Sequence, residues 1–305
     1  MTGIIFSFLL ATLASSLPGL PLTIEPMYLS SSQPRAERAL RDKTGQPPRK
    51  TDVLSLGPRL SAKSALVVDK DSGAVLFESN SSVARPLASL TKLMTALVFL
   101  ESSPNLASVV AMTEDDDREG GATFIRPGES ATLADYLATS LIGSANNATM
   151  VLARSQTATT TEFIAKMNTA ACALGLDKTS FVEPTGLDSA NIGSTRDAAK
   201  LLDAVSRNEK IRSLTSRASA IITVGPKGEE REVKNTDQLL NSIIQVTLGK
   251  TGYLDEALYN LAVVAKLKNG QEVYIIVLGS DSSDERFQDA KNLAVWAQST
   301  YSWDK

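Results

Sequence analysis

The chain has 305 residues, 43% of them hydrophobic and 21% charged, with a formal net charge of −3. That length and apolar content suffice for one large domain or two smaller ones, and the charge balance argues against a nucleic-acid partner, which calls for a basic patch or stripe. There is no histidine, which removes Ser-His-Asp and Cys-His catalysis, the common zinc hydrolase sites and histidine general bases together; a hydrolase built on this chain takes its base from Lys, Asp, Glu or Tyr.

In chain order, the run Ile4 to Leu13 is apolar and breaks into Ala14-Ser15-Ser16-Leu17-Pro18. It is too short to span a bilayer comfortably, so residues 1–24 read as a signal peptide or N-terminal anchor, with no Lys or Arg ahead of the apolar core. Residues 25–60, with Gln33-Pro34-Arg35 and Gln46-Pro47-Pro48-Arg49-Lys50, are polar and dotted with proline. They carry too little apolar surface to fold alone and are expected as a flexible linker, leaving residues 61–305 as the folded domain.

That domain opens with two apolar runs, Ala65 to Asp69 and Ala74 to Phe77, around Lys70-Asp71-Ser72-Gly73, which predicts a β-hairpin. A helix is expected from Ser89 to Leu100. Glu114-Asp115-Asp116-Asp117 reads as a solvated turn, since a calcium loop needs spaced carboxylates and a turn glycine. Residues 130–220 are alanine-rich with helix-period apolar positions such as Leu133, Leu137, Leu141, Met150 and Leu152. The single cysteine, Cys172, excludes an internal disulfide and is expected as a small buried helix residue. Leu261 to Ala265 and Val273 to Leu278 flank Asn269-Gly270, a hairpin signal. A final helix is expected from Ser283 to Gln298, with Phe287, Ala290, Leu293 or Ala294, and Ala297 as its buried stripe. Strands, then helices, then strands and a helix predict an α+β fold: an antiparallel sheet flanked by helices, with an all-helical insertion.

Three short motifs carry chemistry. In Ser89-Leu90-Thr91-Lys92 the serine and lysine lie three residues apart on one helix face. A serine hydroxyl needs a base to take its proton, and lysine serves once burial among residues such as Leu87, Leu90, Leu93, Met94 and Leu97 lowers its pKa. Ser144-Ala145-Asn146 follows a predicted helix, and Lys250-Thr251-Gly252 follows the strand-like run Ile243 to Leu248. Each has a rival elsewhere: Ser302-Trp303-Asp304-Lys305, Ser189-Ala190-Asn191 and Lys43-Thr44-Gly45. Only one set places Ser-x-x-Lys at a helix start, Ser-x-Asn between helices and Lys-Thr-Gly on a strand, in that order, which is the order of penicillin-binding proteins and class A β-lactamases.

The similarity extends past the motifs. Arg85-Pro86-Leu87-Ala88-Ser89-Leu90-Thr91-Lys92-Leu93-Met94-Thr95-Ala96, Glu183-Pro184-Thr185-Gly186-Leu187-Asp188, Lys250-Thr251-Gly252-Tyr253 and Gly279-Ser280-Asp281 resemble the D-alanyl-D-alanine carboxypeptidases among the low-molecular-mass penicillin-binding proteins, over about residues 61 to 300. The resemblance implies a β-lactamase/transpeptidase-like fold and an extracytoplasmic enzyme acting on peptidoglycan stem peptides, with β-lactams as covalent inhibitors, no cofactor and no metal. It implies Ser89 as nucleophile, Lys92 as acylation base and Ser144 as proton relay. Asn146, Lys250, Thr251, Gly252 and Tyr253 would bind substrate, with the N–H groups of Ser89 and Tyr253 forming the oxyanion hole. Arg286, in the first turn of the last helix after a Ser282 cap, would take a terminal carboxylate, as arginine does bidentately.

Glu183 stands where the family usually has Asn, Leu258 where it often has Gly, and Leu254 where a small polar residue is usual. A cross-link-cutting endopeptidase uses the same residues and is the alternative reading. A β-lactamase, which adds a glutamate to activate the deacylating water, and a non-catalytic peptidoglycan-binding module are the others. The chain ends just past the last helix, so no strong C-terminal membrane anchor is expected.

Overall fold

The computed structural model describes Lys43 and residues 45–303; the expected signal or anchor over residues 1–24, and the linker as far as residue 42, lie outside the described residues. The expected first hairpin is β1 (Ser64–Asp69) and β2 (Val75–Ser79), joined through Gly73 at φ 71°, where a side chain would be strained. A 3-10 turn at Ala88–Leu90 runs into α1 (Thr91–Glu101). The helical layer continues with α2 (Leu133–Leu141), α3 (Asn146–Arg154), α4 (Thr160–Ala173), α5 (Thr195–Ser206) and α6 (Glu209–Thr215). A small hairpin, β3 (Ser219–Val224) and β4 (Glu229–Lys234), follows. The chain closes with β5 (Gln245–Leu254), β6 (Leu258–Lys266), β7 (Glu272–Ser280) and α7 (Ser283–Thr300).

The main sheet is antiparallel, in the order β5-β6-β7-β1-β2. Strands β1, β6 and β7 read as largely apolar runs because both of their faces are covered. Leu66, Val68, Ala262, Val264, Tyr274 and Ile276 face the helical layer. The alternate residues Ala65, Val67, Val263, Ile275 and Val277 pack on α7 through Phe287, Ala290, Leu293, Ala294 and Ala297, the stripe expected for that helix. Ser282 caps α7 by accepting from the Glu285 N–H at 3.1 Å. Among the described residues β5 is an edge strand, with its outer side available to a further extended chain.

Three expectations need correction, and one hairpin is additional to them. The folded body begins before residue 61: Arg49–Lys50 pairs with Tyr301–Ser302, and the Trp296 indole N–H donates to Ser55 Oγ at 2.7 Å, because aromatic side chains at the end of α7 give this polar segment something to dock on. Residues 174–194 break the helical middle, since Glu183-Pro184-Thr185-Gly186 favours a loop and Gly186 adopts φ 89°. The β3–β4 hairpin went unread, although Ile221-Ile222-Thr223-Val224 before Gly225-Pro226-Lys227-Gly228 carries its signal. Cys172 is exposed: the buried stripe of α4 is Phe163, Met167 and Ala171, and the next residue lies ~100° round the helix.

Candidate active site

The 3-10 turn before α1 is gripped from two sides. Gly186 packs so closely that a Cβ there would sit 1.9 Å from Ala88 O and 2.9 Å from Ser89 N. A Cβ at Gly252 on β5 would sit 3.0 Å from Leu87 O and 3.3 Å from Ser89 N. Gly186 excludes any larger residue and Gly252 leaves little room for one, and together they pin the Ser89 backbone between a loop and the edge strand. Ala88 takes φ 48°, a strained conformation of the kind that collects at functional sites.

One helical turn on, Lys92 is fully buried. Its Nζ lies 2.9 Å from Ser89 Oγ, 2.7 Å from Asn146 Oδ1 and 2.7 Å from Thr185 O. The Asn146 amide is oriented by its Nδ2, which donates to Gly120 O at 2.7 Å, so its oxygen faces the lysine. Burial pushes the Lys92 pKa down to about 7, against the opposing pull of the Glu183 charge. A neutral amine has two N–H donors and one lone pair. Asn146 Oδ1 and Thr185 O only accept, so they take both donors, and the lone pair is left facing the Ser89 hydroxyl. The arrangement is that of a serine whose proton has a base to go to.

The other two motifs meet across the same cleft. Ser144, at φ 59° between α2 and α3, accepts from Lys250 Nζ at 2.8 Å. Lys250 is buried on β5, and its pKa is driven well below the ordinary lysine value by burial and by the charges of Lys92 and Arg286. Thr251 Oγ1 lies 2.5 Å from Thr236 Oγ1. The Tyr253 ring, half exposed, stacks on Tyr259 with centroids 4.5 Å apart. Arg286 is buried, donates through Nη1 to Gly252 O at 3.1 Å, and lies over the Tyr259 ring. Of the residues expected from sequence, Ser89, Lys92, Asn146, Ser144, Lys250, Thr251 and Gly252 converge. Arg286 meets the same strand at the Gly252 carbonyl.

The rival motifs have other partners. Lys43 Nζ is 2.7 Å from Asp203 Oδ1, Thr44 is outside the described residues, and Ser302 lies in a short strand. Asn191 of the second Ser-x-Asn holds the 182–188 loop: its Oδ1 accepts from Val182 N at 2.7 Å and its Nδ2 donates to Glu183 O at 2.9 Å. Leu258 sits at φ 56°, in the left-handed region that explains a glycine preference at that point. Sequence reading missed the carbonyl of Thr185, which no side-chain pattern announces, and the Thr236-Asp237 pair behind β5. Asp237 is buried against Gly249, and burial raises its pKa to about 6.

Comparison with known proteins agrees with this geometry. Residues 51–282 match the family model described as D-alanyl-D-alanine carboxypeptidase. The chain belongs to that family. It is 31% identical to a D-alanyl-D-alanine endopeptidase of Pseudomonas aeruginosa, over 91% of this chain and 88% of that one. It is 34% identical to a D-alanyl-D-alanine endopeptidase of Haemophilus influenzae, over 79% and 83%. A D-alanyl-D-alanine carboxypeptidase of Bacillus subtilis is 31% identical over 79% of this chain and 63% of its own. The crystal structure of the Streptomyces K15 DD-transpeptidase superposes with a TM-score of 0.75 at 26% identity, covering 80% of this chain and 99% of that one. The fold is therefore the penicillin-binding fold expected from the sequence, and the D-Ala-D-Ala carboxypeptidase family makes this chain a serine peptidase.

Proposed function

We propose that this chain is a serine-type D-Ala-D-Ala carboxypeptidase that acts on peptidoglycan stem peptides through an acyl-enzyme on Ser89. The observation that carries the reading is the Lys92 amine site: three oxygen neighbours, two of them carbonyls, and the third Ser89 Oγ at 2.9 Å. Ser89 Oγ attacks the carbonyl carbon of the penultimate D-alanine while Lys92 Nζ takes the hydroxyl proton. The tetrahedral oxyanion is held by the N–H groups of Ser89 and Tyr253, each worth ~3 kcal/mol by comparison with other such donors. The C–N bond then breaks, the leaving amine takes a proton relayed through Ser144 and the two lysines, and D-alanine departs. Water hydrolyses the ester. Lys250 and Thr251 supply the hydrogen-bonding wall and Arg286 the positive charge for a terminal carboxylate, and the free edge of β5 pairs with the extended peptide.

β-Lactams acylate the same serine. The Glu183 carboxylate is not a free base for deacylation as in a β-lactamase. Its two oxygens accept from Thr185 N, Thr185 Oγ1, Gly186 N and Asn191 Nδ2, which fills the roughly four acceptor positions of a carboxylate. Residues 1–24 direct the chain out of the cytoplasm, which places the enzyme in the cell envelope with its substrate. Among the described residues, no helix is long and apolar enough to cross a membrane.

A second reading, an endopeptidase cutting D-Ala-containing cross-links, is favoured by the relatives at 31% and 34% identity, which are D-alanyl-D-alanine endopeptidases. A pentapeptide ending in D-Ala-D-Ala and a cross-linked peptide dimer, given separately to the enzyme, distinguish the two. Free D-alanine from the pentapeptide supports the carboxypeptidase. Monomers from the dimer without free D-alanine support the endopeptidase. No cleavage of either, with no penicillin adduct, defeats both.

A further inference from the structure

The loop between α4 and α5 reaches the cleft through one carbonyl, and the residue that carries it is held by the Glu183 side chain. Thr185 O accepts from Lys92 at 2.7 Å. Thr185 in turn donates twice to Glu183 Oε2, from its N at 2.7 Å and from its Oγ1 at 2.6 Å. Gly186 N donates to Glu183 Oε1, and Asn191 Nδ2 donates to the same oxygen at 2.7 Å. The preceding carbonyl, Pro184 O, accepts from Thr95 Oγ1 on α1 at 2.5 Å. The loop is thus laced to its own carboxylate on one side and to the helix of Ser89 and Lys92 on the other. Gly186 presses on the Ser89 turn itself.

We infer that Glu183 is a positioning residue for the Lys92 base: by fixing Thr185 and Gly186 it sets the carbonyl that consumes one Lys92 N–H and so aims the lysine lone pair at Ser89. The inference rests on the reading of Ser89 and Lys92 as nucleophile and base. If Thr185 O moves away, the third amine position is free to turn an N–H toward Ser89 Oγ, and the serine becomes an acceptor instead of a donor. Glu183 has an electrical consequence as well. Its charge favours protonated Lys92, opposing burial. Other ionisable groups around these two are Lys250 on β5 and, lining the depression on the outer side of the loop, Arg118, Asp188 and Glu256.

Glutamine has nearly the shape of glutamate, but it offers one accepting oxygen and brings two N–H donors against groups that also donate. In Glu183→Gln the loop therefore loses two bonds and gains a repulsion, while the charge is removed. The test is the rate constant for acylation by a fluorescent penicillin, normalised to folded enzyme and measured from pH 5 to pH 9. Glu183→Gln is expected to acylate ~10-fold more slowly at pH 8, within the cost of a small misplacement of a reacting group. The midpoint of its rise with pH is expected to move below that of the parent, because neutral lysine is easier to reach without the nearby anion. Glu183→Ala should lose more. If that variant fails to fold, the glutamine variant decides alone.

A Glu183→Gln enzyme with the parent rate constant and the parent midpoint overturns the inference, even if its melting temperature falls. The underlying reading fails differently: the parent then gives no adduct, or Ser89→Ala keeps it.

Discussion

Arg154 and Lys92 are both cations held by three hydrogen bonds in the helical layer, and they are held by opposite chemistry. Arg154 spans Asp116 with Nε to Oδ1 and Nη2 to Oδ2, both at 2.8 Å, and reaches Ala111 O at 3.0 Å. Burial pulls the Asp116 carboxyl up, but Arg154 and Thr113 together hold it below the usual range, and the pair is fixed in its charged form. Lys92 has two carbonyls and a hydroxyl, with no carboxylate in hydrogen-bond contact. Its burial is only partly offset by the nearby Glu183 charge, and its pKa falls to about 7. A cation on a carboxylate is a brace. A lysine on neutral dipoles is poised to lose its proton, and the same difference separates Lys250 on Ser144 from Arg231, which lies on Glu129 at 2.6 Å.

The largest way to break the contrast is Lys92→Met. Removing a general base is expected to slow acylation by penicillin ~10²–10⁴-fold, read by intact mass. The same change is expected to stabilise the fold at pH 6. The unfolded chain holds the lysine proton up to its ordinary value of 10.5, whereas the folded state gives it up near 7. Folding is thus disfavoured at low pH and gains as pH rises through that window. Methionine removes the cost, less what is lost at the two carbonyls left without a donor, for a net gain of about 1–3 kcal/mol at pH 6 by thermal or denaturant unfolding.

Asp116→Asn is the converse. It is expected to cost about 1–2 kcal/mol of stability, moderated because the Arg154 side of the pair is open to solvent, while acylation stays at the parent rate. The loss should vanish as pH falls through the Asp116 pKa, since the parent carboxyl then protonates too.

Asp237 sharpens the comparison because it is an anion held above its usual range. Its folded pKa of about 6 exceeds its ordinary value of 3.8, so the parent loses stability as pH rises between those values. Asp237→Asn should melt close to the parent at pH 4 and about 1–2 kcal/mol above it at pH 7. Equal melting temperatures at pH 7 would contradict the buried-anion account.

The smallest effect is expected at Cys172. A maleimide should react with it in the native enzyme and leave the acylation rate unchanged. Protection until unfolding would contradict its exposed position.

What could be read from sequence divides along the same physical line. Side chains whose chemistry is carried by their type and spacing were legible: Ser89 and Lys92 one helical turn apart, Lys250-Thr251-Gly252 on a strand, the α7 stripe, the Asn269-Gly270 turn. Contacts made by backbone groups were not, and Thr185 O is the clearest case, since every residue has a carbonyl and only the folded loop says which one meets Lys92. Pairings across long sequence distances were also hidden. Asp116 looked like part of a solvated run until Arg154, 38 residues later, took it, and Arg49–Lys50 looked like linker until the end of α7 supplied its partner. Cys172 was misjudged by a single step round a helix, which alanine-rich composition cannot resolve.

The most direct test of the central claim is the fate of Ser89 under penicillin. Parent enzyme and Ser89→Ala are incubated with the drug at pH 8, and intact mass and the modified peptide are followed over time. A lasting adduct of one penicilloyl group on the peptide containing Ser89, absent from Ser89→Ala, is the result predicted here. An adduct that survives in Ser89→Ala, or a parent that is never labelled, would contradict the assignment of Ser89 as the nucleophile served by Lys92.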